Sequence, residues 1–214
     1  ERGELSISQV QGESHLSPFM GETVTVRGIV TAMGALDWYP GGTEFYLQSE
    51  VNDNNPKTSE AIHVYISEFI PEVELGDLVE VKAEVYEEIT LSGLTRTQLR
   101  KIKKMQVIGK RPLPKALAIG KGFLPIPNQQ ISTYVGNINF KKSLKLTDGI
   151  DFWESLEGMR VSIKDVRVVG FRGGKESSDP SEEKDHLTLF LLPDGKNPNK
   201  ILTNGGGVLP NPDQ

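Results

Sequence analysis

The sequence predicts an all-β protein, and three observations lead to that prediction. Several segments alternate apolar and polar residues with a period of two, which is typical of half-buried strands. The 22 glycines and 13 prolines among 214 residues stand mostly between these segments, as short turns require. No segment carries the apolar spacing of a long amphipathic helix.

The first strand is predicted at residues 23–32, where alternation places Val24, Val26, Val30 and Ala32 on one apolar face. Gly28 predicts a bulge or a bend at which the strand passes between two sheets. Two shorter strands follow at residues 43–48, after a Pro-Gly-Gly turn, and at residues 61–66.

The fourth strand is predicted at residues 78–86, after a short helical or irregular link. The fifth covers residues 94–108, and its period of two breaks between Leu99 and Ile102, which predicts a bulge. Five strands with a bent first strand and a short link between the third and fourth follow the order of an OB-fold, a five-stranded Greek-key barrel. We therefore predict that residues 1–110 form an OB-fold module with an N-terminal strand.

The remaining chain is predicted to contain a connector and a second domain. Residues 111–148 are rich in Pro and Gly and lack a long alternating run, which is typical of a connector. Residues 149–214 begin with a pattern similar to that of the first module, but they include fewer predicted strands. We expect them to form a partial, OB-like second β-domain that is truncated, or that is completed by residues outside this sequence.

Within the second domain, the sequence predicts one short helix and two strands. Asp151 is predicted at the N-cap of a helix of one to two turns, and Gly158 lies beyond its end. A long strand is predicted at residues 159–169 and another at residues 186–192. The polar segment between these strands and the Gly/Pro/Asn-rich tail at residues 203–214 are predicted to be loops.

Composition excludes several classes of function. The chain has no cysteine, so zinc–cysteine sites, iron–sulfur clusters and thiol catalysis are excluded. No run approaches the ~18 apolar residues of a membrane-spanning helix, so we expect no membrane-spanning segment. No signal peptide is visible at the first residues. The net charge of −5 gives no general affinity for nucleic acid.

Charge is nevertheless segregated between the predicted fourth and fifth strands. Residues 72–90 contain seven acids and one base, whereas residues 95–115 contain eight bases and no acid. Two adjacent antiparallel strands of opposite charge would pair across their exposed face. Alternatively, the basic strand is a stripe that follows a phosphate backbone. The sequence leaves both interpretations open.

The candidate nucleic-acid-binding residues are aromatic and basic side chains on strands that OB-folds use for this purpose. Tyr46 and Tyr65 alternate with apolar neighbours and are expected to point away from the core, where a base could stack on them. The alternative is that both rings simply cover the barrel. The basic candidates for phosphate contacts are Arg27, Arg96, Arg100, Lys101 and Lys103.

No catalytic or metal-binding motif accompanies these residues. The three histidines, His15, His63 and His186, have no metal-ligand spacing, and no phosphate-binding loop or nucleophile elbow occurs. His63 is expected to be a partly buried structural residue. The run at residues 52–55 offers oxygen ligands but lacks the EF-hand pattern, which favours a hairpin loop. We therefore expect this chain to be non-catalytic and without a cofactor of its own.

Several short motifs resemble the front part of bacterial extracellular nucleases. The resemblance is good over residues 7–108 and partial over residues 151–169. The motifs that carry it are ISQVQG at residues 7–12, SP at 17–18, GETVTVRGIVT at 21–31, FYLQ at 45–48, GDLVEV at 76–81, TQL at 97–99, LEGMRV at 156–161 and NP at 211–212.

In that family, similar OB-fold modules precede a catalytic domain of the endonuclease/exonuclease/phosphatase type. The resemblance implies a non-catalytic, nucleic-acid-binding region of a secreted or cell-surface nuclease-like protein. Such a region would present DNA or RNA to a downstream catalytic domain that is not in this chain. The parent protein would be a metal-dependent endonuclease or phosphodiesterase, with its divalent metal in that domain.

A function from a different class is also compatible with the sequence. The chain would then be a structural or interaction module that positions a neighbouring domain, or that binds protein or saccharide. The two functions differ in the state of the basic fifth strand. It forms an open groove in the first, and it is neutralised by Glu80, Glu84, Glu87 and Glu88 in the second.

Overall fold

The computed structural model describes residues 3–35, 43–67, 69, 71–90, 92–128, 130–175 and 185–192. These residues form nine strands, two short α helices and one 3-10 turn, so the predicted all-β class is confirmed. No helix in the described ranges is long and apolar enough to cross a membrane. The predicted tail and residues 176–184 of the polar loop lie outside the described residues.

The five predicted strands of the first module form a closed barrel, which confirms the OB-fold. The strands are β1 (Thr23–Ala35), β2 (Thr43–Gln48), β3 (Ala61–Ile66), β4 (Asp77–Ile89) and β5 (Thr95–Lys110), in the order β1-β2-β3-β5-β4. All pairs are antiparallel except β3 with β5, which pair in parallel. The remaining strands are β6 (Leu117–Ile119), β7 (Val161–Ile163), β8 (Arg167–Lys175) and β9 (Asp185–Leu192).

Strand β1 closes the barrel because it bends and pairs with two different strands. Its first half pairs with β4 as far as Ile29, and its second half pairs with β2 from Ile29 onward. Gly28 lies at this crossing, as predicted. A Cβ atom at Gly28 would lie 2.9 Å from Ile7 Cδ1 and 2.9 Å from Leu47 Cβ, so only a glycine fits without displacement.

The barrel core consists of the apolar face of each strand. Its fully buried members include Val24, Val26 and Val30 of β1, Phe45 and Leu47 of β2, Ile62, Val64 and Ile66 of β3, Val79, Val81, Ala83 and Val85 of β4, and Leu99 of β5. The prediction that Ala32 shares this face is wrong. The register of β1 shifts between Val30 and Ala32, which buries Thr31 and exposes Ala32.

Strand β5 contains the predicted bulge. Its register against β4 shifts between Lys82 and Glu84, and Lys101 on β5 adopts a φ of 52°. Such a left-handed backbone is unusual for a residue other than glycine. The bulge therefore changes which β5 residues lie opposite the charged residues of β4.

The N-terminal segment is not the predicted strand. It makes a single parallel bridge between Glu4 and Thr25 and then forms helix α1 (Ile7–Gln11). Ser6 and Gln9 form a capping box at its first turn, and Ile7 and Val10 are buried against the barrel core.

Two predictions for the later segment also need correction. Helix α2 spans Gly149–Glu154 with Asp148 at its N-cap, so Asp151 lies inside the helix rather than at its start. The long strand predicted at residues 159–169 is interrupted between β7 and β8. Asp165 between them has a φ of 51°, a conformation that ends regular pairing. Gly158, with a φ of 69°, follows α2 as predicted.

The chain divides into two compact units. The first contains Glu1–Leu117 and Ile126–Arg160, so the segment 126–160 belongs with the barrel. The second contains Ala118–Pro125 and Val161–Gln214. In its described residues the second unit is all-β: β6 pairs with β7, and β8 pairs antiparallel with β9.

We expect Gly28→Ala to lower the free energy of unfolding by about 1–3 kcal/mol, because the new methyl group must displace Ile7 or Leu47 in a closely packed core. Urea unfolding measures this change. The matched control is Gly109→Ala in β5, where the Cβ would lie 3.5 Å from Arg111 Nη1, an ordinary contact. Equal stability of the two variants would contradict the close packing at Gly28.

Candidate functional site

The seven residues predicted to bind nucleic acid lie on four strands of the barrel. Arg27 is on β1, Tyr46 on β2, Tyr65 on β3, and Arg96, Arg100, Lys101 and Lys103 on β5. Among the described residues, a side-chain hydrogen bond joins two members of this set, Tyr46 and Arg96. The Arg96 guanidinium donates a hydrogen bond from Nη1 to the Tyr46 hydroxyl at 3.1 Å.

Arg27 is held by carboxylates of its own chain. It lies opposite Glu80 in the β1–β4 register, and its Nη2 is 2.8 Å from Glu80 Oε2 and 3.3 Å from Glu4 Oε2. Glu80 is also 3.3 Å from the Lys104 ammonium. The hydrogen bond from Arg27 and the one from Lys104 lower the pKa of Glu80. Arg27 is therefore already ion-paired on the exposed face.

Two of the four basic candidates on β5 are ion-paired with β4. Arg96 lies opposite Glu88, and its Nε donates to Glu88 Oε2 at 3.0 Å. Lys101 Nζ is 2.9 Å from both carboxylate oxygens of Glu84. The opposite charges of the two strands therefore pair across the sheet.

The other two basic candidates on β5, Arg100 and Lys103, have different surroundings. The Arg100 guanidinium lies 2.9 Å from the centre of the Tyr86 ring, as a cation–π contact. Lys103 is exposed and has no ion pair with any residue that the structure describes. Glu87 does not neutralise the strand, because it is buried. The basic strand is therefore largely satisfied by its own chain, with Lys103 as the exception.

Tyr46 is covered by the segment that follows α2. Its ring is 5.0 Å from the His63 imidazole, and a Cβ atom at Gly158 would lie only 3.0 Å from it. Burial raises the pKa of Tyr46. His63 is buried and lies 2.8 Å from Glu44 Oε2 through Nε2, as expected of a structural histidine. Tyr65 is only partly buried.

The segment after α2 makes further hydrogen bonds at β2 and β3. Ser59 Oγ donates to the carbonyl of Glu157 at 2.6 Å, and the backbone amide of Arg160 donates to Gln48 Oε1 at 3.0 Å. Strands β2 and β3 form the face with which OB-folds commonly bind oligonucleotides and oligosaccharides. Part of that face is therefore occupied by this chain's own residues.

The most unusual polar site is centred on His15, which the sequence analysis did not select. His15 follows α1 and is completely buried. Its Nε2 is 2.8 Å from Asp151 Oδ1, and its Nδ1 is 3.0 Å from Glu154 Oε2. Burial opposes a charge on the imidazole, but the hydrogen bonds to the two carboxylates outweigh burial and raise the pKa of His15.

Asp151 also binds the segment that precedes its helix. Its Oδ2 accepts a hydrogen bond from the Lys145 backbone amide at 2.7 Å and contacts the Lys141 ammonium. Burial raises the pKa of Asp151, but hydrogen bonds from Lys141 and His15 reverse that effect and lower it. A buried carboxylate that is paired in this way keeps its charge.

Two further carboxylates, those of Glu87 and Glu157, lie close enough to interact electrostatically with Glu154. Glu87 Oε1 accepts hydrogen bonds from the Ser17 amide at 2.6 Å and from Thr97 Oγ1 at 3.0 Å. Removal from water raises the pKa of Glu87 to about 7. Removal from water and the charge of Glu154 raise the pKa of Glu157 to about 8. We call His15, Glu87, Asp151, Glu154 and Glu157 the His15 cluster.

The geometry of the His15 cluster is suited to attachment of chain segments. Both imidazole nitrogens of His15 are engaged by carboxylates, so neither is available to a substrate. In the described part of the chain, no group of three or more His, Cys, Asp or Glu residues is arranged to hold a metal ion. The cluster instead joins the residues after α1, strand β4 and helix α2.

One signal of this cluster is present in the sequence. Asp151, Glu154 and Glu157 are spaced by three residues, so the first two share a face of α2. His15, which pairs with Asp151 and Glu154, is 136 residues from Asp151, and no local sequence pattern indicates that pairing.

The fold and site therefore define an all-β protein with an OB-fold barrel that carries a buried histidine–carboxylate cluster. A model for a domain of unknown function (DUF8508) matches residues 118–212, after the five barrel strands. No curated protein matches the chain. Among solved structures, a putative aspartyl-tRNA synthetase from Leishmania major Friedlin is similar, with 16% identity and a TM-score of 0.38. The match covers 55% of this chain and 23% of that one.

We expect the protein to lose stability as the pH rises from about 5 to 8. The folded-state pKa values of Glu157 and Glu87, about 8 and about 7, lie above the ordinary value of 4.5, so the folded protein binds more protons in this window. His15, whose pKa is also raised, contributes with the same sign. Urea unfolding at several pH values measures the slope.

The variant for this prediction is Glu157→Gln, which keeps an oxygen to accept from Gln11 Nε2 and the Thr97 amide. It should flatten the pH dependence and stabilise the protein at pH 8 by about 1–3 kcal/mol. The control Glu72→Gln removes an exposed carboxylate and should leave the slope unchanged. A wild-type free energy of unfolding that rises between about pH 5 and 8 would contradict the raised pKa values of Glu87 and Glu157.

Proposed function

We propose that this chain contains a non-catalytic structural module whose OB-fold barrel fixes the segment 126–160, and that the role of this module is to position a neighbouring domain. The observation that carries this proposal is the pairing of buried His15 with Asp151 and Glu154. Breaking a buried ion pair leaves an uncompensated charge and is strongly destabilising, so the pairing gives the attached segment a defined position.

Other contacts support the attachment of this segment at several points along its length. The backbone amide of Leu144 donates to the Glu13 carbonyl at 2.8 Å. Asn139 Nδ2 donates to the Gly93 carbonyl at 2.9 Å. These contacts involve the loop after α1 and the β4–β5 turn, so the barrel holds the segment at sites other than the His15 cluster.

The ion pairs of the basic strand favour the same class of function. Arg96 and Lys101 of β5, and Arg27 of β1, each have a carboxylate partner, which reduces the positive potential available to a polyanion. Exposed ion pairs contribute little to stability, but they remove the uncompensated charge that phosphate binding requires. The proposed role fits a region that precedes the catalytic domain of a secreted nuclease-like protein, as the resemblance implies.

We expect His15→Gln to increase hydrogen–deuterium exchange of the backbone amides in residues 130–155 by about tenfold or more, because the variant weakens the attachment of this segment. Exchange in the centres of β1 and β4 should change much less. Peptide-resolved mass spectrometry of the full chain measures both regions.

The matched control is His63→Gln, which removes a second buried histidine–carboxylate pair, with Glu44, from the barrel itself. It should leave exchange in residues 130–155 close to that of the wild type. If the two variants accelerate exchange equally in that segment, or if neither does, then His15 has no special role in holding it.

A second candidate function is the binding of DNA or RNA, which the resemblance also implies. Two observations favour it: Tyr65 remains partly exposed on β3, and Lys103 is exposed without an ion pair among the described residues. Stacking of a base on Tyr65 with a phosphate near Lys103 would be sequence-tolerant and sensitive to salt.

A binding measurement decides between these functions. We expect no salt-sensitive binding of the wild-type protein to a fluorescent oligo-dT or oligo-U strand in an anisotropy titration at low ionic strength. The variant Glu84→Gln/Glu88→Gln frees Lys101 and Arg96 and should gain binding that weakens steeply with salt.

The control for this experiment is Glu72→Gln/Asp165→Asn. It removes two exposed acids that have no ion pair in the described ranges, so it changes the net charge equally without freeing a base. Wild-type binding with a salt slope, weakened by Tyr65→Ala, would instead support the nucleic-acid function. Stacked aromatic residues typically contribute about 1–3 kcal/mol.

A further inference from the structure

A cavity of about 470 Å³ lies beside helix α2 in the first unit. Its walls come from the start of β5, from residues 127, 128, 130 and 131, and from α2. Ligand sites in proteins typically occupy roughly 300–1,000 Å³ and are mostly apolar with a few polar groups. The volume of this cavity therefore suits a small organic molecule or a single large side chain.

The lining of the cavity combines apolar walls with one carboxylate. Leu94, Ile131, Ile150 and Trp153 supply the apolar surface, and Glu154 supplies the charge. Ile131 is 77% exposed and Trp153 is 46% exposed, so large apolar surfaces here meet solvent. None of the described lining residues is Lys, Arg or His.

Glu154 connects the cavity to the His15 cluster. One of its oxygens accepts from His15 Nδ1, and 11% of its side chain remains accessible where it lines the cavity. His15 faces Glu154 and Asp151, Lys141 lies against Asp151 and Asp148, and Lys145 Nζ is 3.5 Å from Asp148 Oδ1. Among the described residues that line the cavity, Glu154 is the charged one, and its partner His15 is shared with Asp151.

The charge of Glu154 acts on its neighbours across the cluster. Removal from water is the main cause of the raised pKa values of Glu87 and Glu157, and the charge of Glu154 raises both further. A cation placed against Glu154 would be attracted by this charge, whereas an anion would be repelled. The partly exposed indole of Trp153 offers a second attraction to a cation, through its ring face.

We propose that this cavity is a binding site for an organic cation, with an ammonium or guanidinium group at Glu154 and Trp153 and an apolar body against Leu94, Ile131 and Ile150. The site is distinct from the β2–β3 face, and it shares Glu154 with the His15 cluster. The same chemistry occurs in a free amine and in a Lys or Arg side chain, which are separate arms of the test.

Trp153 reports on binding directly. The chain has two tryptophans, so a Trp38→Phe background leaves Trp153 as the sole emitter. Phenethylammonium and phenethylguanidinium are titrated against its fluorescence, with propylbenzene as the neutral isostere and blocked Lys and Arg amides as the side-chain arm. We expect saturable changes with the cations and about fivefold weaker binding of the isostere.

Two variants test the charge of Glu154 and the volume of the cavity separately. Glu154→Gln keeps an oxygen for His15 but loses the charge, and it should weaken cation binding about fivefold while leaving the isostere unaffected. Ile131→Trp fills the cavity from an exposed position without altering the His15 cluster, and it should abolish binding of both. The control Glu72→Gln removes an exposed charge elsewhere and should change nothing.

Thermal melting of each variant establishes that it is folded. Tighter binding of free amines than of blocked Lys and Arg amides would assign the site to small molecules, and the reverse order would assign it to a side chain. The proposal is overturned if the isostere binds as tightly as the cations, if Ile131→Trp retains cation binding, or if no cation saturates the signal by about 10 mM.

Discussion

The placement of His15 between two carboxylates is the interaction on which the first unit depends. It joins residues that are 136 positions apart, and both carboxylates come from one short helix. A helix of six residues has little stability of its own, so α2 exists here because its buried side chains are held. Phe152 provides the apolar part of that anchorage, and Asp151 provides the charged part.

The cost of burying a charge explains the shifted pKa values of the carboxylates near His15. A charged group withdrawn from water must be paired, or it must give up its charge. Asp151 is paired with His15 and Lys141 and keeps a lowered pKa. Within the described ranges no cation forms an ion pair with Glu87 or Glu157, and their raised pKa values reflect the second solution. The attachment of α2 and the expected pH dependence therefore have one electrostatic origin.

Most of the barrel could be predicted from the sequence, because alternation with a period of two marks the buried face of each strand directly. Gly28 and the break after Leu99 also indicated the bend and the bulge. The prediction failed at Ala32, where a single shift in register inverts the alternation. It failed at α1 because one turn of helix carries too few residues for a period to appear, although Ser6 and Gln9 form a capping box.

The candidate site was less predictable, because its properties arise from tertiary contacts. Opposite charges on β4 and β5 were visible in the sequence, but the partner of each base depends on the register that the bulge at Lys101 sets. In this register Lys101 pairs with Glu84. The same reasoning applies to His15, whose two ring nitrogens acquire their partners only when α2 packs against the barrel. A charge pattern thus predicts that groups can pair, and the fold determines which of them remain free for a ligand.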